Sequence, residues 1–304
     1  MAEQVGISGD ICPPEKLHGD LGGNALDYGV FAGVFPEDKF RLVRGFQRRG
    51  AVVAMSGDGV NDAPALRQAE AGIAVANATD VAKAAAALVL TRPGLGGVVP
   101  AIETSRRVFQ RIIAYTLNML IKKIEMMALI VIGFLVTHHK PLTPMLMVLV
   151  LFLNDFLTMS LSTDRMDYSR RPNRWKTRGI LLAATVLAAC KLIFSLGVFL
   201  YGRYGLRLDI PRLQTLTFVT LILSSQAGVY LLRERGHFWR SPPSVLLMAS
   251  SVFGLGVTAS LALVGILMPA LSVSSLLAVA GTGIIYFAGL DWVKVWLFER
   301  LDLR

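Results

Sequence analysis

Cysteine is nearly absent from this 304-residue chain: Cys12 and Cys190 are the only two. With no CxxC pair, they exclude a disulfide framework and a thiolate metal knuckle. Histidine is also scarce. His18 and His237 have no partner at metal-site spacing, and His138 and His139 read as solvated loop residues. No basic-then-apolar leader follows Met1, so the N-terminus is expected to stay in the cytoplasm. No internal repeat or low-complexity tract occurs. Charged residues make up only 17% of the chain against 54% hydrophobic, and the mean hydropathy is +0.55. A chain this apolar is not an average soluble protein. Its net charge of +10 then belongs to the loops of a membrane protein, and does not point to nucleic acid.

What is present falls into two parts. Residues 1–105 read as a soluble α/β segment, and residues 106–304 are dominated by long apolar runs. In the first part, Pro13-Pro14 and Gly22-Gly23 are breakers, and Phe31 to Phe35 reads as a strand. Pro36-Glu37-Asp38-Lys39 then opens a helix, with proline and acids in the first turn. Phe40, Leu42, Val43 and Phe46 are expected on its buried face, with Arg41, Arg44, Arg48 and Arg49 outward. Strands at 51–55, 72–76 and 88–90 alternate with helices after Pro64 and at 80–87. That alternation implies a parallel, doubly wound sheet.

The most informative stretch is Ser56-Gly57-Asp58-Gly59-Val60-Asn61-Asp62-Ala63-Pro64. It follows an apolar strand, and Gly57 and Gly59 let the backbone turn sharply around Asp58. Asn61 or Asp62 can cap the next helix. The carboxylates of Asp58 and Asp62, at the C-terminal end of a strand, suit a hard cation such as Mg²⁺ and an anion bridged by it.

Gly57 to Pro64 resembles the hinge signature of P-type ATPases, the ion pumps that pass through an aspartyl-phosphate. Val30 to Lys39 resembles the Phe-Ala-Gly-Val-Phe-Pro-Glu-x-Lys run of plasma-membrane proton pumps. The resemblance implies a partial haloacid-dehalogenase-like, Rossmann-like phosphorylation domain followed by an all-α bundle of six transmembrane helices. It implies that Asp58, with Asp62, binds Mg²⁺. Lys39 would lie on the phosphate, with Gly57, Gly59 and Asn61 around it. A helix running from Glu103 to Arg111 and on into apolar sequence would be the stalk to the fifth span. The family's nucleophilic Asp-Lys-Thr-Gly-Thr and its Thr-Gly-Asp motif do not occur in this sequence, and ATP would be reached only through a nucleotide domain that is also missing. Ala2 to Ile7 resembles the helix that follows Thr-Gly-Asp, so the chain is expected to begin inside a domain.

Six spans are expected, at about 112–136, 145–161, 180–201, 213–232, 244–267 and 271–297. Arginine-rich loops follow the second (Arg165, Arg170, Arg171, Arg174, Lys176, Arg178) and the fourth (Arg233, Arg235, Arg240). Arg203, Arg207 and Arg212 in the third loop are a partial exception. The bias places the soluble part and both termini in the cytoplasm. Asn118, Lys122 and Glu125 recur at i, i+4 and i+7 on one helix face, with Lys123 beside it. Asn154-Asp155 interrupts the second span, and an intramembrane carboxylate points to function. Leu153-Asn154-Asp155 resembles the Leu-Asn-Asp of proton pumps, whose aspartate accepts and releases the proton; a structural salt bridge from Asp155 to Lys122 or Lys123 is the plain alternative. Plant-type pumps carry an arginine in the first of these spans, whereas none stands between Arg111 and Arg165 here. Asp291 and Lys294 read as an anchor for the last span.

The function expected from the resemblance is the C-terminal half of an ATP-driven proton or cation pump in the plasma membrane. It would need a second polypeptide for the nucleophile and nucleotide domain, and would be inactive alone. A non-catalytic membrane binding or regulatory protein is the alternative. A phosphatase-like enzyme of the haloacid-dehalogenase superfamily is weaker still without the nucleophile.

Overall fold

The computed structural model describes residues 9–18, 27–164, 166 and 175–301. The Gly22-Gly23 break, the opening residues 2–7, the side chain of His18, and Arg165, Arg170, Arg171 and Arg174 lie outside the described residues. The chain divides into two compact units, Met1–Thr104 and Ser105–Arg304.

In the first unit, β1 (Asp10–Cys12) pairs in parallel with β2 (Tyr28–Phe31), and α1 (Pro14–His18) lies between them in the chain. β2 ends earlier than the sequence suggested. Gly33 takes a left-handed conformation at φ 68°, which turns the chain before Pro36 opens α2 (Pro36–Arg48). Leu42 and Val43 are buried as expected, Phe40 and Phe46 only half so, and the four arginines face outward. Cys12, Leu17 and Leu42 form the small core beneath α2.

A three-stranded parallel sheet follows, in the order β3 (Ala54–Gly57), β4 (Ala71–Ala74), β5 (Leu88–Val89). Every described pairing is parallel, although the strands form two sheets, not the single one expected. β3 starts at Ala54 and not at Ala51, because the Val53 amide is taken by the Glu70 carboxylate at 2.9 Å. The crossovers are α3 (Ala63–Gln68) and α4 (Asp80–Ala85), and Thr79 caps α4 by accepting from the Ala82 amide. Leu66, Ala74, Ala78 and Ala82 pack as the core of this layer. Gln68 donates to Gln47 Oε1 at 2.7 Å and Gln47 donates to the Gln68 carbonyl at 2.8 Å, which ties α2 to α3.

Six long helices follow: α5 (Val98–Thr137), α6 (Pro144–Ser160), α7 (Thr177–Leu200), α8 (Ile210–Leu232), α9 (Val245–Val264) and α10 (Val273–Arg300). A π-helical turn, Tyr201–Gly205, ends α7. Among the described residues, five helices are long and apolar enough to cross a membrane: Pro144–Thr163, Thr177–Gly205, Ile210–Leu232, Val245–Val264 and Val273–Arg300. The α5 stretch is not one of them. It holds three ionisable residues, Lys122, Lys123 and Glu125, within residues 112–136. Of the five, α8 is by far the most enclosed, and α6, α7, α9 and α10 all pack against it.

Paired charges hold one end of this bundle. Asp164 is fully buried; it accepts from Arg233 Nε at 2.7 Å and from the Ser244 amide at the start of α9, also at 2.7 Å. Arg233, read from the sequence as a loop charge, is in fact buried, and it also donates to the carbonyls of Ser241 and Pro242. Lys294 and Asp291 do anchor the last helix. Lys294 Nζ donates to Asp291 Oδ1 and to the carbonyls of Leu231, Glu234 and Gly236, while Asp291 Oδ2 meets His237 Nδ1 at 2.6 Å.

Gly72 shows how tightly the sheet packs: a Cβ there would lie 2.3 Å from the Leu66 carbonyl oxygen. Backbone cannot yield as a side chain does, so Gly72→Ala is expected to destabilise the first unit by about 3 kcal/mol. Limited proteolysis of the full chain checks this, with cleavage rising within residues 54–89.

Candidate functional site

The first candidate site lies at the C-terminal end of β3. The turn after Gly57 feeds a short 3-10 segment, Val60–Asp62, and then α3. Asp62 occupies the N-cap of α3, yet its side chain makes no capping bond to that helix. It points back into the turn, where Oδ2 accepts from the amides of Asp58 at 3.2 Å and Gly59 at 3.3 Å. Its Oδ1 accepts from Lys39 Nζ at 2.6 Å. Gly57 permits this, since a Cβ at that position would lie 2.7 Å from both Cβ and Oδ2 of Asp62. Lys39 stands in the first turn of α2, where a cation opposes the helix dipole; the Asp62 carboxylate supplies the compensating charge.

Burial works to raise the Asp62 pKa. The hydrogen bond from Lys39 and those from the Gly59 and Asp58 amides outweigh it and hold the carboxyl below the ordinary aspartate range. Asp58 and Asn61 are exposed, and among the described residues the Asp58 carboxylate makes no hydrogen bond or ion pair. The structure thus brings Lys39, Asp62 and the Asp58 and Gly59 backbone together and leaves the Asp58 carboxylate free. Both oxygens of Asp62 are engaged, so the expected Asp58–Asp62 metal pair is not what the geometry arranges. No group of three metal-ligating side chains occurs among the described residues. One free carboxylate on a turn suits Mg²⁺, which keeps several waters and takes one or two carboxylates plus phosphate oxygens.

The second candidate site is a polar cluster inside the helical unit. Asn118 and Glu125 of α5 are buried and Lys122 is half-buried, as the i, i+4, i+7 spacing suggested. Lys122 Nζ donates to Thr158 Oγ1 on α6 at 2.7 Å. Glu125 is met from two further helices. Ser195 Oγ of α7 and Ser224 Oγ of α8 each donate to its Oε1 at 2.6 Å, and Lys191 Nζ of α7 lies 3.0 Å from Oε2. That last contact is an ion pair more than a directed hydrogen bond. Among the described residues, the buried side-chain atoms without a hydrogen-bond partner are Asn118 Nδ2 and Oδ1, Asn154 Oδ1, Lys191 Nζ, Ser225 Oγ and Gln226 Oε1. A cavity of about 60 Å³ touches Lys122, Lys123, Glu125, Asn154, Asp155 and Ser225. Unpaired polar atoms beside such a space fit a hydrated or ion-binding interior.

Asp155 departs from expectation. It is exposed on α6 and does not face into the bundle; it borders the cavity, and no ion pair within 4 Å joins it to Lys122 or Lys123. The helix period explains the difference: Asn154 and Thr158 take the inward positions of α6, and Asp155 falls one residue off that face. The buried carboxylate is Glu125. Lys191, Ser195 and Ser224 were not expected from the sequence, although a lysine within an apolar run is the same signal that marked Lys122.

Comparison with known proteins covers both units. The family model described as cation transporting ATPase, C-terminus, matches residues 139–296, more than half of the chain. One described as haloacid dehalogenase-like hydrolase matches residues 42–102. A protein of Methanocaldococcus jannaschii named as a cation-transporting ATPase is 39% identical over 234 residues, covering 75% of this chain and 29% of that protein. One of Leishmania donovani named as proton ATPase 1A is 34% identical over 276 residues, covering 81% and 28%. Plasma membrane ATPase 1 of Saccharomyces cerevisiae is 31% identical over 270 residues, covering 85% and 29%. The chain spans less than a third of the length of these relatives.

Each site generates an expectation. Because the Asp62 pKa is lowered on folding, its link to Lys39 contributes fully above the unfolded pKa and is lost as pH falls through the folded one. Exchange protection of the Asp58 and Gly59 amides, corrected for intrinsic rates, is expected to persist down to about pH 4 and fall below it. Asp62→Asn should remove that acid step. In the second site, Glu125→Gln or Lys191→Met alone leaves a buried charge unmatched, at about 3–5 kcal/mol. The double substitution should recover much of the loss, read as thermal stability of the chain in detergent.

Proposed function

This chain belongs to the cation-transporting P-type ATPases, whose C-terminal region it carries, and from that premise we propose that it is the C-terminal portion of an ATP-driven pump for a proton or another cation. The carrying observation is the buried polar cluster on α5, α6, α7 and α8, with its paired carboxylate and its unpaired amide and hydroxyl oxygens. Apolar packing alone does not call for such groups, and ionisable residues in membrane helices cluster on ion pathways.

In this reading Asp58 holds Mg²⁺, which when bound would neutralise charge on a transferring phosphoryl group. Asp62 orients Lys39 for the phosphate through the 2.6 Å bond, and the Gly57 and Gly59 backbone keeps the turn open. Asn61 is exposed in the same turn. The nucleophilic aspartate and the nucleotide site that brings ATP come from outside these 304 residues, from a second polypeptide or the rest of a longer pump. α5, 40 residues long, spans about 60 Å and is the route by which phosphorylation reaches the cluster. Asp155 takes and releases the proton at the cavity, which Asn154 also lines, while Asn118 stands by Lys191 near Gly228. The lipid bilayer is that of the plasma membrane, with the first unit and both termini on the cytoplasmic side. A domain division at 105/106 and six spans, α5 included, complete this arrangement. The second reading is a non-catalytic membrane binding or regulatory protein.

Co-expression with a polypeptide supplying the N-terminal half, followed by ATP-driven acidification of vesicles, separates the readings. Acidification that falls at least tenfold in Asp58→Asn and in Asp155→Asn is the expected result. Acidification unchanged in Asp155→Asn would remove the proton role from that residue, and none in any preparation would favour the non-catalytic protein.

A further inference from the structure

A second cavity lies away from the polar cluster, and the pump reading makes no use of it. α9 and α10 both pack on α8 but scarcely on each other. That leaves a cleft of about 340 Å³ between them, with α8 behind it, the size of a small-molecule site. Val252 of α9 and Ile284 of α10, both largely exposed, stand at its rim. On helices that cross a membrane, such a rim faces lipid. None of the residues around the cleft is charged, and only Gln226, Tyr230 and Ser251 carry polar side chains. Tyr230 donates to Ser251 Oγ at 2.9 Å, so that pair serves itself.

Gln226 is different. It is 5% exposed, and among the described residues its Oε1 has no hydrogen-bond partner. Gly254 of α9 gives the amide its room, since a Cβ there would lie 3.0 Å from Gln226 Nε2. A buried acceptor left without a donor is costly, so the amide calls for a donor from whatever fills the cleft. Gln226 sits about 9 Å short of the end of α8 at Leu232, at 1.5 Å per residue. That places it within the hydrocarbon layer, about 30 Å thick, that a helix of this length spans. At that depth a charged headgroup would find no counter-charge in the cleft. The ester oxygens of a diacyl phospholipid only accept. One lipid chemistry remains: an uncharged molecule with a hydroxyl, which donates to Oε1 and accepts from Nε2. Small residues set the shape of the body behind that hydroxyl. Ala227, Ala280 and Gly283 let it approach the helices closely, and a rigid ring system loses less freedom on binding there than flexible chains do.

We propose that this cleft is a binding site for a polycyclic lipid alcohol of the sterol type, drawn from the bilayer, with its hydroxyl on the Gln226 amide and its ring system between α9 and α10. The lipid fills the gap that the two helices leave and joins both of them to α8. Nothing in this depends on what the chain transports; it depends only on the helices lying in a bilayer.

The test needs neither ATP nor a partner chain. The full chain is reconstituted in phosphatidylcholine nanodiscs with a photoactivatable cholesterol that keeps its hydroxyl and carries a diazirine on its rings, and the labelled residues are mapped by mass spectrometry. Saturable labelling is expected on α9 and α10 around Val252 and Ile284. Excess cholesterol should compete it away. Cholest-4-en-3-one, which has a carbonyl in place of the hydroxyl, should compete about tenfold less well, as should labelling of Gln226→Leu fall by about tenfold, the worth of one hydrogen bond to a buried group. Absence of saturable labelling in the cleft would overturn the proposal. So would a helical, monodisperse Gln226→Leu that labels as before, or a ketone that competes as well as the alcohol. Dioleoylglycerol competing as well as cholesterol would overturn the assignment to a ring-fused lipid. Should Gln226→Leu fail to fold, the competition arms on the unsubstituted chain decide the matter, with Ala280→Leu, which narrows the cleft from α10, expected to lose the labelling. The acidification assay has no bearing on these outcomes, so the two readings fail separately.

Discussion

A carboxylate withdrawn from water must be met by a positive charge or give up its own. The helical unit is arranged around that constraint at Glu125. Three helices meet there: α5 brings the acid, α7 the ammonium and one hydroxyl, and α8 the second hydroxyl and the glycine that leaves room. The enclosure of α8 is what makes the meeting possible, because its neighbours bury it on nearly every side. Charge pairing recurs at Asp164–Arg233 and Asp291–Lys294, but there the cations also bind loop and helix-end carbonyls. Those pairs fasten chain segments together. The Glu125 pair instead has unsatisfied amides and a cavity beside it.

The first unit uses the same physics under wetter conditions. Asp62 is buried but its partner Lys39 is 38% exposed, so solvent screens the pair. Its value lies in geometry. The bond fixes the lysine over the turn, and the two amides that Asp62 accepts hold the loop from Gly57 to Asp62 in one shape. Among the described residues the Asp58 carboxylate makes no hydrogen bond or ion pair, and it is open to solvent, as the proposed Mg²⁺ role requires.

Much of this was legible in the sequence. The eight residues from Gly57 to Pro64 and the apolar runs marked a haloacid-dehalogenase-like unit and a helical membrane unit, and the relatives and the fold bear that out. The 3.6-residue period correctly put Asn118, Lys122 and Glu125 on one helix face. It did not reveal which carboxylate is enclosed, because burial depends on the neighbours of a helix and not on its own sequence. Asp155 stands out in an apolar run, yet lies one position off the inward face of α6. Lys191 also interrupts an apolar run, but without a nearby acid its partner, 66 positions back in the chain, could come only from the fold. The strand limits failed where side chains and glycines outside the strands intervened, at Glu70 and Gly33.

The charge state of one ammonium tests this account most directly. In the full chain with ¹⁵N-labelled lysine, reconstituted in lipid, the Nζ resonance assigned through Lys191→Arg should report a charged, immobilised ammonium at neutral pH and through-space contact to the Glu125 carboxyl carbon. A neutral amine there, or an ammonium with no such contact, would contradict the view that the membrane unit is built around a permanently paired carboxylate.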